Sequence, residues 1–276
     1  MSHLINQPPG IASILLTVAG KEFRDCVRGR WLGVGAVLFT VLSLAIVYGT
    51  AAIGGTLDFR DLPVAMNSLV SLTVFLLPLL ALLISSDAFV GEEESGTLLL
   101  MLTYPMTRTE WLIGKLAGQG AALLCALVLG YLPLMLLSIF GFLPYAPEAL
   151  DAELFQLCSS GWLLGLITTL AAFCVSLTVS SKARALGVLL LIWLLLVLLY
   201  DLGLLVLSIA AADVMDRSVM QLLVLINPAS AFRLLNQMLL GITEATVPAV
   251  ALVGILGAWI VALFALAASL IKRRSL

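Results

Sequence analysis

Chemistry needs polar groups held close together, and this chain has few. Its densest acidic cluster is the run Glu92, Glu93, Glu94. Two more carboxylates, Asp87 and Asp201, fall within or beside long apolar runs. A carboxylate inside a membrane is costly and is a functional candidate by default. Asp87 is open to two readings, a substrate role or an ion pair with Lys182, Arg184 or a basic residue near the N-terminus. Asp201 is a pathway group, a cap on a neighbouring helix, or a partner of Arg217 or Arg233. His3 is the single histidine, which argues against a histidine-based metal site or catalytic triad. Cys26, Cys125, Cys158 and Cys174 form no CxxC, so no disulfide framework is expected. No GxxxxGK[ST], GxSxG, HExxH or GxGxxG occurs, and Gly114-Lys115 is followed by leucine. These exclusions predict a protein that is not itself an enzyme, holds no cofactor or resident metal, and binds no nucleic acid.

The elements that must hold these groups are helices in lipid. Hydrophobic residues make up 62% of the chain and charged ones 11%, with a mean hydropathy of +1.17. A soluble domain of this size carries about 25% charged residues. Lipid requires every backbone polar group to be paired internally, and the apolar runs are continuous rather than alternating, so helices are predicted and barrel strands are not. The fold class expected is all-α: a polytopic membrane protein of six spans, at about 31–53, 66–90, 111–140, 158–180, 185–210 and 247–271, forming one domain over 1–276. The first apolar run begins at Trp31 and is long enough to be a retained anchor rather than a cleaved leader. Residues 1–30 read as an amphipathic helix on the membrane surface, with Ile11, Ile14, Leu15 and Val18 on one face and Lys21, Arg24, Arg28 and Arg30 on another. Eleven basic residues then sort to one side of the membrane and three, Arg60, Arg217 and Arg233, to the other. The positive-inside rule places both termini in the cytoplasm of a bacterial inner-membrane protein. Gly114/Gly118 and Gly161/Gly165 permit close helix contact, in ordinary packing or in a dimer. Between spans five and six, 211–246 contains two apolar stretches too short to cross, broken at Asn227-Pro228, which predicts a re-entrant or interfacial hairpin.

The stretch 91–115, GEEESGTLLLMLTYPMTRTEWLIGK, is acidic on the side that should be basic. Thr97–103 reads as a short apolar helix ended at Tyr104-Pro105. Thr107 and Glu110 form a capping box for the next span. Such a helix needs a cover, either a soluble partner or the protein's own spans. This pattern resembles the cytoplasmic loop of ABC-2-type transporter permeases, and the six-span layout with its basic N-terminal elbow helix resembles the type V exporter-like members. The resemblance implies that 91–110 is a coupling element docked on a separate cytoplasmic ATPase subunit, with Glu92, Glu93, Glu94, Gly96, Thr97, Leu98, Pro105, Arg108 and Lys115 matching the family pattern. Asn227, Pro228 and Arg233 in the outer segment resemble the branch of the family that serves assembly of the copper centre of nitrous oxide reductase. That resemblance implies a homodimer, a periplasmic protein partner, contact with a copper chaperone through the complex, and a place in denitrification. Sulfur suits Cu(I), but Met215, Met220 and Met238 with Cys158 make no MxxM or CxxC cluster. Two rival functions stay open: a mechanical scaffold that relays ATPase motion without moving a substrate, and a general ABC-2 exporter of lipid or drug.

Overall fold

Continuous apolar runs make the helices, and short polar or proline-containing breaks separate them. The computed structural model describes residues 10–53, 59, 61–96, 106–210, 217–243 and 247–273, without side chains for 50–53 and 217. All regular structure among these residues is helical: α1 (Ile11–Arg28), α2 (Trp31–Ile53), α3 (Leu62–Ser85), α4 (Val90–Glu94), α5 (Arg108–Ile139), α6 (Pro147–Ser176), α7 (Lys182–Trp193), a π-helical turn (Leu194–Leu199), α8 (Tyr200–Ala210), α9 (Arg217–Ile226), α10 (Pro228–Leu239) and α11 (Ala249–Arg273). Among the described residues six helical stretches are long and apolar enough to cross a membrane, with α7, the π turn and α8 acting as one.

Local chemistry sets the boundaries. Thr107 Oγ1 accepts from the Glu110 amide at 3.2 Å while Glu110 Oε2 accepts from the Thr107 amide at 2.8 Å, the reciprocal cap read from the sequence. Prolines open α3, α6 and α10 in their first turns, where the missing N–H costs nothing. At the far end of α5, Gly141 takes φ +74°, and Phe142 N–H closes back on the Leu137 carbonyl at 2.8 Å. That left-handed closure favours glycine.

Two span starts differ from expectation. α6 begins at Pro147 rather than near 158, so the acidic stretch with Glu148, Asp151 and Glu153 is its first three turns. The leucines Leu150, Leu154 and Leu157 recur at helical spacing and are buried there, while the intervening charges hide the helix from a hydropathy window. α3 begins at Leu62 rather than 66 and ends at Ser85 rather than 90, where a turn leads into α4.

α5 lies at the centre of the packing. Phe39 of α2 meets Gly130 and the Tyr131 ring, whose centroid is 5.5 Å away, and Tyr131 Oη shares a 2.7 Å hydrogen bond with Thr73 Oγ1 of α3. Gly165 of α6 admits Leu77 and Leu123 at ordinary van der Waals range, and Gly161 admits Leu77 and Leu127 at that range with Thr73 slightly closer, 3.3 Å from where a Cβ would stand. Gly114 and Gly118 receive α1 instead: a Cβ on Gly114 would lie 2.7 Å from Val18, and one on Gly118 would strike the Ala19 carbonyl. Both glycine pairs therefore serve packing within the chain. The stretch from α7 to α8 and much of α11 keep apolar side chains such as Leu191, Leu205, Val206, Val250 and Val261 exposed. That surface is stable against lipid tails.

Candidate functional site

Polar groups gather at the two ends of the bundle. At the end where α1 lies, Lys115 sits in the second turn of α5 with its side chain 1% exposed. A bare ammonium there would be prohibitive, and three elements converge to pair it. Lys115 Nζ is 2.8 Å from Glu22 Oε1 of α1 and 2.9 Å from Glu92 Oε1 of α4. Lys21 Nζ reaches the same Glu92 oxygen at 2.8 Å and Glu22 Oε1 at 3.1 Å. Gln119 Nε2 donates to Glu22 Oε2 at 3.1 Å and Gln119 Oε1 accepts from Ser85 Oγ at 2.7 Å, extending the network to α3. The rings of Phe89 and Trp111 flank Lys115 Nζ at 5.4 and 5.3 Å, with their negative faces available to the cation.

The electrostatics follow from this geometry. Burial opposes charge on Glu22, but Lys115 and Lys21 outweigh it and hold the carboxyl below its ordinary value. Burial likewise opposes charge on Lys21, but Glu22 and Glu92 hold it above the ordinary lysine range. Cys26, one turn after Glu22, is pushed up to about 12 by burial and by Glu22 and Asp25, so its thiol is inert.

α4 is anchored as firmly as its five residues allow. The amides of Phe89 and Val90 both donate to Ser176 Oγ at 3.1 Å. Glu94 Oε1 accepts from the Lys182 amide at 3.1 Å. Glu92 turns inward, while Glu93 and Glu94 face out. Gly96, at φ +70°, ends the helix in the left-handed conformation glycine tolerates. Thr97, Leu98 and Pro105, with the expected short helix, lie outside the described residues. Arg108 donates to the carbonyls of Ile271 and Lys272 at 2.7 and 3.2 Å, closing the C-terminus of α11 with a cation. Asp87 lies 3.6 Å from Lys182.

At the other end, α9 and α10 meet at 111°. Asn227 caps α10 by accepting from the Ala229 amide at 3.0 Å, and its Nδ2 donates to the Leu196 carbonyl at 2.6 Å. That carbonyl belongs to the π-helical turn, where the regular ladder is shifted. Tyr200 Oη donates to the Leu223 carbonyl at 2.6 Å. Asp201 ion-pairs with Arg233 and accepts from Ser230 Oγ at 2.8 Å. Asn236 takes a 3.1 Å bond from Ser160, and Gln237 donates to Asn67 at 3.1 Å. The hairpin is thus keyed to α3, α6 and the span containing the π turn. Beneath it lies an apolar cavity of about 220 Å³, reached by Trp193, Tyr200, Pro228 and Trp259.

Among the described residues no three His, Cys, Asp or Glu side chains are grouped to hold a metal. Met238 packs against the core and Cys158 is buried beside Tyr131 and Met135, while Met215 lies outside the described residues. Sequence reading passed over Glu22 and Gln119, and counted Lys115 among the cytoplasmic basic residues and the residues of the family's coupling pattern without giving it a partner. Lys115 does fall within a predicted span, and an ionisable residue there calls for a partner.

The model of the ABC-2 family transporter protein matches residues 16–276. Two relatives bear the name "Probable ABC transporter permease protein NosY". One, from Pseudomonas aeruginosa, is 38% identical over 81% of this chain and 81% of its own length. The other, from Stutzerimonas stutzeri, is 37% identical over 79% of each.

Proposed function

This chain belongs to the ABC-2 transporter family and is a permease subunit of an ABC transporter, and from that premise we propose that it couples ATP hydrolysis on a separate cytoplasmic subunit to work across a bacterial inner membrane. The work proposed is transport of a copper or sulfur species, or remodelling of a periplasmic partner, during assembly of the copper centre of nitrous oxide reductase. The partners are a NosF-like ATPase, a NosD-like periplasmic protein and a second copy of this chain, with a copper chaperone reached through the complex. The basic α1 end faces the cytoplasm and carries both termini; the hairpin end faces the periplasm.

The observation that supports this reading is the construction of α4. A five-residue helix has no stability of its own. Here its inward carboxylate, Glu92, is bound to Lys115 and Lys21, and its outward carboxylates, Glu93 and Glu94, are exposed. A push on the outward face is therefore delivered to α1 and α5 together. Glu93→Lys tests it, because the buried network keeps Glu92 and Glu94 keeps its bond to the Lys182 amide. The expected result is loss of ATPase co-purification at an unchanged membrane level of the permease. Retention of the ATPase at the wild-type level overturns the assignment of α4 as the docking element.

A second reading, the mechanical scaffold, is favoured by one observation: the interior polar groups Asp201, Asn227 and Asn236 each have partners within the chain, and the cavity beneath the hairpin is apolar. Sealed vesicles containing the complex, offered copper or sulfur species with ATP, separate the two. ATP-dependent uptake excludes a pure scaffold.

A further inference from the structure

The buried network forms one wall of a larger space. Between α1, the end of α3, α4 and the start of α7 lies a cavity of about 570 Å³. That volume falls in the range of about 300–1,000 Å³ usual for small-molecule sites. Its lining mixes two kinds of residue. Lys21, Lys115 and Lys182 stand with Glu22, Asp25, Asp87 and Glu92, an excess of one negative charge. Trp31, Leu83, Ile84, Ala88, Ala183 and Leu186 are apolar.

The charges differ in how far they are satisfied. Lys115 is enclosed by its two glutamates. One pair on the cavity wall is loose: Lys182 and Asp87 stand 3.6 Å apart with side chains 48% and 51% exposed. Asp25, 53% exposed, stands 3.6 Å from Lys21, whose ammonium is already held by Glu92 at 2.8 Å and Glu22 at 3.1 Å. At 3.6 Å a salt bridge makes no hydrogen bond, so Lys182, Asp87 and Asp25 can each admit a ligand. One cation and two carboxylates around one space suit a zwitterion better than a simple anion, which the surplus negative charge would repel.

Position selects among zwitterions. The cavity lies where α2 and α7 begin and α3 ends, at the rim of the apolar layer. Trp31, 43% exposed, stands at that level, where its ring prefers the interface. Exposed Ile11, Leu16 and Val27 on α1 turn the same helix toward lipid. A ligand held here has its polar part against Lys182 and Asp87 and its apolar part along Trp31 and Leu186.

We propose that this cavity binds the headgroup of a phosphatidylethanolamine molecule from the adjoining leaflet, with Lys182 on its phosphate, Asp87 and Asp25 on its ammonium, and its acyl chains along Trp31 and Leu186. The site is independent of what the protein carries. Native mass spectrometry of the protein released from nanodiscs of equal phosphatidylethanolamine and phosphatidylglycerol tests it. The wild type retains ethanolamine lipid about fivefold over glycerol lipid, the ratio expected from one favourable charge contact. Asp25→Asn/Asp87→Asn abolishes that preference while Lys182→Gln lowers retention of both lipids. All three positions are half-exposed, and an unchanged melting temperature in each variant verifies that the fold is intact. Equal retention of the two lipids by the wild type, or an unaltered preference in the aspartate variant, overturns the proposal. Displacement of the bound lipid by soluble glycerophosphoethanolamine at equal concentration overturns the lipid source and leaves a site for a free zwitterion.

Discussion

The two ends of the bundle each hold paired charges, and they hold them differently. At the α1 end one buried lysine serves two glutamates from two helices, and those glutamates share a second lysine. No member can leave without stranding another. At the hairpin end Asp201 and Arg233 form a single pair, 22% and 23% exposed, between one span and a bent hairpin. Water can replace either partner there. The first arrangement binds α1, α4 and α5 into one body. The second fastens the hairpin with a bond that can open at small cost.

The largest test of this contrast is Lys115→Met. It leaves Glu22 and Glu92 beside a half-exposed Lys21 only, and loss of one partner from a buried ion network costs about 3–5 kcal/mol. Thermal unfolding in detergent should fall accordingly, and Lys115→Met with Glu22→Gln should recover part of the loss. A melting temperature equal to wild type in the single variant would break the contrast. Gly118→Leu should come next, at about 1–3 kcal/mol from overpacking, because any Cβ there meets the Ala19 carbonyl and lies 2.7 Å from Glu22 Cβ. Limited proteolysis of α1 reads it. Gly165→Ala, whose nearest neighbour would be 3.4 Å away, serves as the mild control.

At the hairpin, Asp201→Asn should cost less, about 1–2 kcal/mol, since a partly exposed arginine can turn to water. Its signature is faster thiol labelling of Leu222→Cys on α9, at unchanged ATPase co-purification. Asn227→Ala removes both the α10 cap and the bond to Leu196, for about 1 kcal/mol, with the same labelling readout. The pH dependence is the finest discriminator. Glu22 is held below its ordinary value, so its stabilisation is complete above about pH 4.5 and is lost as pH falls through the folded-state value. Glu22→Gln should flatten that part of the stability profile, measured by melting temperature between pH 6 and pH 3.

The spans were legible in the sequence because lipid demands unbroken apolar helices, and the demand is local. The capping box at Thr107 and Glu110 and the break at Asn227-Pro228 were legible for the same reason, since each depends on neighbours within four residues. Asp201 and Arg233 were readable as candidates, because few charges lie near that side. Glu22 was not. It stands in a run with Lys21, Arg24 and Asp25, and which charge turns inward depends on where Gly114 and Gly118 admit the helix, more than ninety residues later. The first turns of α6 were hidden by their own carboxylates. The π-helical turn falls in LLLVLL, a string with no residue to mark it.

That turn decides the phase of everything after it. An α-helix advances about 100° per residue, and a π turn accommodates one residue more than the helix would hold. Tyr200 and Asp201 are thereby rotated by about a quarter of a circle from where an uninterrupted span would aim them. Removing one leucine from 194–199 would leave an unblemished apolar helix of better intrinsic geometry. It would also point Asp201 away from Arg233 and take the Leu196 carbonyl from Asn227. A one-residue irregularity, silent in composition and hydropathy, is the index mark by which the hairpin finds its seat.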